Sequence, residues 1–218
     1  MAAATSTPKR GARLEPDERR KQILAAARKL FNDRDYSAVS ADEIAAQAGV
    51  ARGLINHYFG TKRELYVEVV RELVRVPPPP VPEYVQGTTP EQRVAVSVDN
   101  WLEMVWRNRE TWLASVSGAG LGSEDEIGSI FEEAREQAAT QMIAVLGLGN
   151  GAGAAPEVQA VFRAYSGMAE AATVQWLKHG RLDRDQVAEL LNRAALSFAG
   201  EILEGVRSPN RAEPASKE

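Results

Sequence analysis

Apolar positions recur along this chain with the period of a helix, and no credible run shows the alternation of a strand. From Pro16 to Phe31 the residues Ile23, Leu24, Ala27, Leu30 and Phe31 fall at i, i+1, i+4, i+7 and i+8, one stripe of an amphipathic helix whose first turn suits Pro16. Further helix starts are marked by a capping residue followed three positions later by Glu or Gln: Ser40/Glu43, Thr61/Glu64, Thr89/Gln92, Ser123/Glu126 and Asp183/Gln186. Pro90 and Pro156 fit first turns, and Gly147, Gly180 and Gly205 fit helix ends. The pattern predicts an all-α protein.

Two breaks divide the series. Pro77 to Pro80, with Pro82, cannot continue a helix and is expected to run as an extended connector. The glycine- and alanine-rich stretch Gly147 to Ala155 reads as a surface loop between long helices. The expected organisation is a disordered basic arm (1–14), a head (15–60), a linking helix (61–76), a proline-rich connector (77–89), a helical body (90–206) and a disordered tail (207–218).

Composition narrows the chemistry. The 218 residues are 44% hydrophobic and 26% charged, enough to bury a core, and no apolar run approaches the roughly 18 residues that would cross a bilayer. Met1 to Ser6 lack the apolar stretch of a secretory signal, so a cytoplasmic protein without a membrane partner is expected. There is no cysteine, and His57 and His179 are the only imidazoles, which excludes thiolate and multi-histidine metal sites. Carboxylates such as Asp99 and Glu103, or Glu132 and Glu133, lie near apolar residues without a histidine, ligand set or phosphate loop to join them. Neither catalytic residues, nor a metal, nor a cofactor are expected. Charge is unevenly spread: residues 1–75 hold 14 Lys/Arg against 10 Asp/Glu, and the remainder 12 against 20. A basic end on an acidic body suits a nucleic-acid-binding head, because phosphate contacts need local positive charge.

Residues Ser40 to Tyr58 carry the sharpest motif. A short helix, Ala41 to Ala48, buries Ile44, Ala45 and Ala48; Gly49 permits a tight turn, Val50 plugs the core, and a second helix runs from Arg52 to Tyr58. This is helix-turn-helix spacing. With Ile55 inward, Arg52, Gly53, Asn56 and His57 lie outward, where Asn can pair with adenine and Arg with guanine.

The segments RRKQILAAARKLF, YSAVSADEIAAQAGV and NHYFGTKRELY, spanning about Arg19 to Val70, resemble the tetracycline-repressor (TetR) family of bacterial regulators. The resemblance implies a three-helix DNA-binding head, a fourth linking helix starting at Thr61-Lys62, and a larger helical body that binds a small molecule and dimerises. The implied function is a homodimeric, ligand-responsive regulator of double-stranded DNA, a repressor released by an apolar or amphipathic effector. The alternative is a helical ligand- or partner-binding protein without specific DNA binding. Residue by residue, Arg52, Gly53, Asn56 and His57 match base- or phosphate-facing positions, and Tyr58 and Lys62 match an aromatic and a lysine that touch the DNA backbone, with a half-buried core ring and a solvated surface charge as their alternative roles. Ser40 would offer its hydroxyl or helix-start amides to a phosphate, or act simply as a cap. Ala51, Leu54 and Asn56 depart from the family, which often has a small hydroxyl residue, Thr and Tyr there, so the operator is not readable by analogy. Lys9, Arg10 and Arg13 form a basic arm suited to a groove.

In the body, large apolar side chains suit a ligand cavity, and Trp101, Val105, Trp112, Phe131, Met142 and Tyr165 are the candidates, with core filling as the alternative role for each. The last two long helices, Pro156 to Lys178 and Asp183 to Glu204, carry apolar stripes too wide for one neighbour. A four-helix dimer interface through Trp176, Leu191, Ala195 and Phe198 is expected.

Overall fold

The computed structural model describes residues 16–75, 87–116, 124–149 and 153–204. Among these residues there are nine α-helices and no strand: α1 (Pro16–Asp33), α2 (Ala41–Ala48), α3 (Arg52–Phe59), α4 (Lys62–Val74), α5 (Pro90–Arg107), α6 (Arg109–Val116), α7 (Glu124–Leu146), α8 (Pro156–Leu177) and α9 (Arg184–Ser197). A 3-10 turn, Tyr36–Ala38, leads into α2, and a π-helical segment, Phe198–Ile202, extends α9. The expected arm and tail, prolines 77–82 and the centre of the glycine-rich loop lie outside the described residues.

Four of the five capping signals close as reciprocal boxes. At Ser40, Thr61, Thr89 and Asp183 the cap side chain accepts from the N–H three residues on, and the Glu or Gln there accepts from the cap's own N–H. Two orphan donors are satisfied at each start. In the first box the backbone and side-chain hydrogen bonds from Ser40 lower the Glu43 pKa to about 2, so its carboxylate stays ionised well below the usual range. Ser123 lies outside the described residues, and Glu126 instead pairs with Arg63 and Arg71 of α4.

Glycine is required at two turns. Gly49 ends α2 with φ 62°, and its N–H reaches the Ala45 and Ala46 carbonyls while Val50 N–H reaches Ala45. Gly60 has φ 78°, and a Cβ there would collide with the Glu64 carboxylate of the α4 capping box.

Helices α1 to α4 close around Ile23, Leu24, Ala27, Phe31, Ile44, Ile55, Leu65 and Tyr66. This core does not stop at the proline connector. Val105, Trp112, Ile127, Ile130 and Phe131 of α5, α6 and α7 belong to the same cluster. A second cluster joins α5, the C-terminal half of α7, α8 and α9 through Val98, Leu102, Ile143, Phe162, Val187 and Leu191. The apolar packing joins elements from both sides of residues 77–89. Helix α6 and the start of α7 pack with the head, because α4 is apolar on too many sides for the head alone to cover. Seven of its 13 residues are buried: Leu65, Tyr66, Val67, Val69, Val70, Leu73 and Val74.

Polar contacts tie the same seam. Asn32 of α1 donates to the Arg107 carbonyl at 2.7 Å, and the Tyr66 hydroxyl of α4 lies 3.4 Å from that of Ser115 on α6. Within the head, Lys62 Nζ donates to the Tyr36 carbonyl at 2.9 Å and the Val39 carbonyl at 2.8 Å, 4.0 Å from the centre of the Tyr36 ring. The first residue of α4 thus fastens the turn that delivers α2.

Replacing this lysine should therefore register as a stability defect. Lys62→Met is expected to destabilise the protein by about 1.5–3 kcal/mol, the range for hydrogen bonds to a charged group. Urea unfolding checks it, and an unchanged midpoint would mean that water replaces both contacts without cost.

Candidate nucleic-acid interface and cavity

The outward face of α3 follows from what its inward face must bury. Ile55 is fully buried and Phe59 nearly so, with the Arg20 guanidinium 4.8 Å from the centre of the Phe59 ring. Helical periodicity then leaves Arg52, Gly53, Asn56 and His57 exposed. Tyr58 is half-buried and meets His57 edge-on, with ring centres 5.0 Å apart. Leu54 also packs half-buried on the core. Ala51 caps α3 without a side-chain hydrogen bond, so the helix start is held by packing and by the turn.

The remaining residues expected at the DNA have structural duties too. Ser40 is a cap in a complete box, its hydroxyl donating to the Glu43 carboxylate at 2.9 Å. Lys62, expected at the DNA backbone, directs two of its three N–H groups at the Tyr36 and Val39 carbonyls, which leaves one for a phosphate. Arg52 is paired with Asp42 of α2 at 2.9 Å, both side chains being largely exposed. Sequence reading missed Asp42, which stands ten positions away and meets Arg52 only because the turn folds α3 back across α2. Gly53 is required by nothing inside the protein, since a Cβ there would meet no atom within 4 Å.

A cavity of about 510 Å³ opens between the two apolar clusters. Trp101, Trp112, Phe131, Met142 and Tyr165 line it together, as does Leu191. Val105 does not: it is fully buried in the core shared with the head, because the turn of α5 that points Trp101 and Met104 at the cavity points Val105 away from it. The Trp101 and Trp112 rings meet edge-on at 5.7 Å, and Phe131 packs 5.5 Å from Trp112. Trp112 Nε1 donates to Thr173 Oγ1 at 2.9 Å, joining α6 to α8.

The wall is not wholly apolar. Arg135 Nε donates to both Glu170 oxygens, at 2.9 and 3.1 Å, and the same guanidinium reaches Glu132. Burial pushes the Glu170 pKa up, opposed by Arg135 beside it. Leu73, Val74 and Arg75 at the end of α4, and Arg28 of α1, also line the cavity. The cavity therefore touches α1 and α4, the helices that pack against α2 and α3.

The expected dimer stripe needs re-registering. Leu191 and Ala195 are 1% and 0% exposed within one protomer, where with Val187 they pack on the body core. They cannot also form an interface. The outward stripe of α9 is offset by one residue: Leu190 is 41% exposed, and Ala194 and Phe198 are half-buried along the same face. Trp176 is half-buried, stacked on Trp106 at 5.5 Å, and Trp106 is 46% exposed.

Residues 23–69 match the family described as "Bacterial regulatory proteins, tetR family", and residues 90–198 match "Tetracyclin repressor-like, C-terminal domain". The HTH-type transcriptional activator FasR of Mycolicibacterium smegmatis is 38% identical over 98 residues, 44% of this chain and 45% of that protein. The HTH-type transcriptional regulator HbdR of an Aromatoleum species is 32% identical over 113 residues, 51% of this chain and 49% of that protein. The chain thus spans about half the length of these curated relatives. Among solved structures, a tetR-family transcriptional regulator from Streptomyces coelicolor superposes with a TM-score of 0.71 at 24% identity, covering 90% of this chain and 84% of that one. The regulator FadR of Bacillus subtilis, solved in complex with stearoyl-CoA, does so at 0.59 and 16%, covering 83% and 97%. These likenesses show the fold. No helix among the described residues is long and apolar enough to cross a membrane. With both its head and its body matched, the chain belongs to the TetR family of bacterial regulatory proteins.

Proposed function

We propose that the protein binds operator DNA as a homodimer through α3 and is released from it when a small apolar or amphipathic molecule occupies the cavity. The observation that carries this reading is the cavity's position. It lies on the seam between the apolar cluster that contains the head and the cluster that contains α8 and α9, so an occupant presses on both.

Arg52, Gly53, Asn56 and His57 would read base edges, with Tyr58 and the helix start at Ser40 at the phosphates. An occupant pushing Trp112 moves α6, whose Ser115 contacts Tyr66 of α4, and one pushing Leu73 or Val74 moves α4 directly. Two recognition helices in successive major grooves must sit about 34–36 Å apart, so a small tilt of each α4 spoils both contacts together. A coupling of about 1–3 kcal/mol corresponds to roughly 5- to 150-fold in DNA affinity. Occupied DNA most simply means repression. FasR is named an activator, and release would then end activation. The sign is set by operator placement, and the release by this chain. Stearoyl-CoA in the Bacillus subtilis neighbour is an amphipathic occupant of the same fold.

Four outcomes follow. Gly53→Ala should raise stability by about 0.4–1 kcal/mol while lowering duplex affinity about tenfold, because the glycine serves close approach rather than packing. Asn56→Ala should instead lose discrimination between the selected and a scrambled duplex; fluorescence anisotropy and urea unfolding separate these effects, and unchanged affinities would place the reading face elsewhere. Ala169→Phe, which fills the cavity from α8, should retain DNA binding yet abolish effector-induced release; release that persists would locate the effector site outside the cavity. Leu190→Glu should convert the dimer to a monomer in light scattering, and a variant still fully dimeric would remove the exposed stripe of α9 from the interface.

A further inference from the structure

Resting on the effector reading above, we infer that the cavity selects an amphipath with an anionic head, held at the cavity mouth between Arg28 of α1 and Arg75 at the end of α4. The inference starts from the partners of the arginines. Most of them are engaged: Arg20 with Glu68, Arg34 with Glu43, Arg71 with Glu68 and Glu126, Arg163 with Glu132, Arg184 with Asp99. Arg93 donates to the Val145 and Thr88 carbonyls. Among the described residues, the guanidinium groups of Arg28 and Arg75 are the two with no hydrogen bond, ion pair or ring contact. Both line the cavity.

Both are also exposed, which places them at the opening rather than in the wall. The deeper wall is made of Trp101, Trp112, Phe131 and Met142. Such a site is apolar within and cationic at its lip. Glu72 lines the cavity too and forms no ion pair with either arginine, and the remaining charges, Arg135 and Glu170, neutralise each other. Two guanidinium groups against one carboxylate leave the mouth positive. A carboxylate or phosphate there would receive charge-assisted, bidentate hydrogen bonds while its tail displaces water from the aromatic wall. A neutral head would gain none of these, and a cationic one would meet repulsion.

The placement also says how such a ligand would act. Arg28 belongs to the helix that supports α2 and α3, and Arg75 is the C-cap of α4. An anion bridging them would draw together the two helices of the head that face the body.

A matched series with one tail tests this: hexadecanoate, hexadecyl phosphate, hexadecan-1-ol and hexadecylamine, below their micellar concentrations, titrated against tryptophan fluorescence with duplex release read in parallel. Wild type is expected to bind the two anions about tenfold or more tighter than the alcohol, and their ratio tells a carboxylate site from a phosphate site. Arg28→Ala/Arg75→Ala should bind all four alike, Arg28→Glu/Arg75→Glu should prefer the amine, and Arg181→Ala, remote from the cavity lining, should behave as wild type. The proposal is overturned if the alcohol binds as tightly as the anions, if no member binds, or if the paired substitutions leave the preference intact. Arginine-dependent binding without duplex release would instead retain the anion site and remove the release reading; release by alcohol and anion alike would do the reverse.

Discussion

Helix α4 is buried on more sides than one neighbour can cover, and most of the architecture answers that constraint. Its Leu65, Tyr66, Val69 and Val70 complete the head, while α6 and the first half of α7 supply the other wall through Trp112, Ile127 and Phe131. A fully buried aliphatic side chain is worth about 1.5–3 kcal/mol. Parting α4 from either side would thus expose more apolar surface than a marginally stable domain can lose. On the proposed reading, motion of the body would reach the head as a tilt of the whole unit. The exposed Arg71–Glu126 pair crosses from α4 to α7, but it adds little to this hold, since exposed ion pairs contribute about 0–1 kcal/mol each.

The reading face illustrates the opposite economy. Inside α3 only Ile55 and Phe59 are committed to the core, and the rest of the short helix is left to water or to DNA. Its start has no side-chain cap, and Gly53 in its first turn is unfavourable by up to about 1 kcal/mol relative to alanine. The helix is held by what surrounds it: Gly49 at one end, the Gly60 turn at the other, and the Lys62 clamp that seats α2. On the proposed reading, local stability is given up where DNA would come close.

How much of this was legible in the sequence depends on the range of the interaction. Period and capping chemistry are local, so α1 to α5, α8 and α9 stand close to where the apolar stripes and the Ser40, Thr61, Thr89 and Asp183 signals place them. The inward positions Ile44, Ala45, Ala48 and Ile55 are likewise set by the turn at Gly49. What needed coordinates was the choice between neighbours. The stripe on α9 is wide, and nothing local says whether Leu190 or Leu191 faces the protomer's own core; packing against α5 and α8 decides for Leu191. Val105 and Trp101 lie one turn apart on α5 and looked equivalent, yet one enters the core and the other the cavity. Lys62 reads as a free basic residue until the chain brings the Tyr36 and Val39 carbonyls to it from more than 20 positions away. Arg28 and Arg75 gave no signal at all, since the absence of a partner is a property of the folded state.

The size of the cavity makes its openness meaningful. A dry, sealed void of about 510 Å³ would cost on the order of 10 kcal/mol at roughly 24 cal/mol per Å³, comparable with the entire stability of a domain. The protein cannot hold such a void empty and closed. Its polar lining, including Asn100, Gln141 and the Arg135–Glu170 pair, admits water, so the space is kept at tolerable cost until something apolar displaces that water. Such an exchange releases water from aromatic surface on both clusters at once, and the free energy gained depends on how far the two clusters stand apart. On the proposed reading a ligand would favour one spacing over another by the same contacts that bind it, which is the differential affinity a switch needs. Because α4 belongs to one of those clusters, spacing in the body and the angle of α3 would then be a single variable.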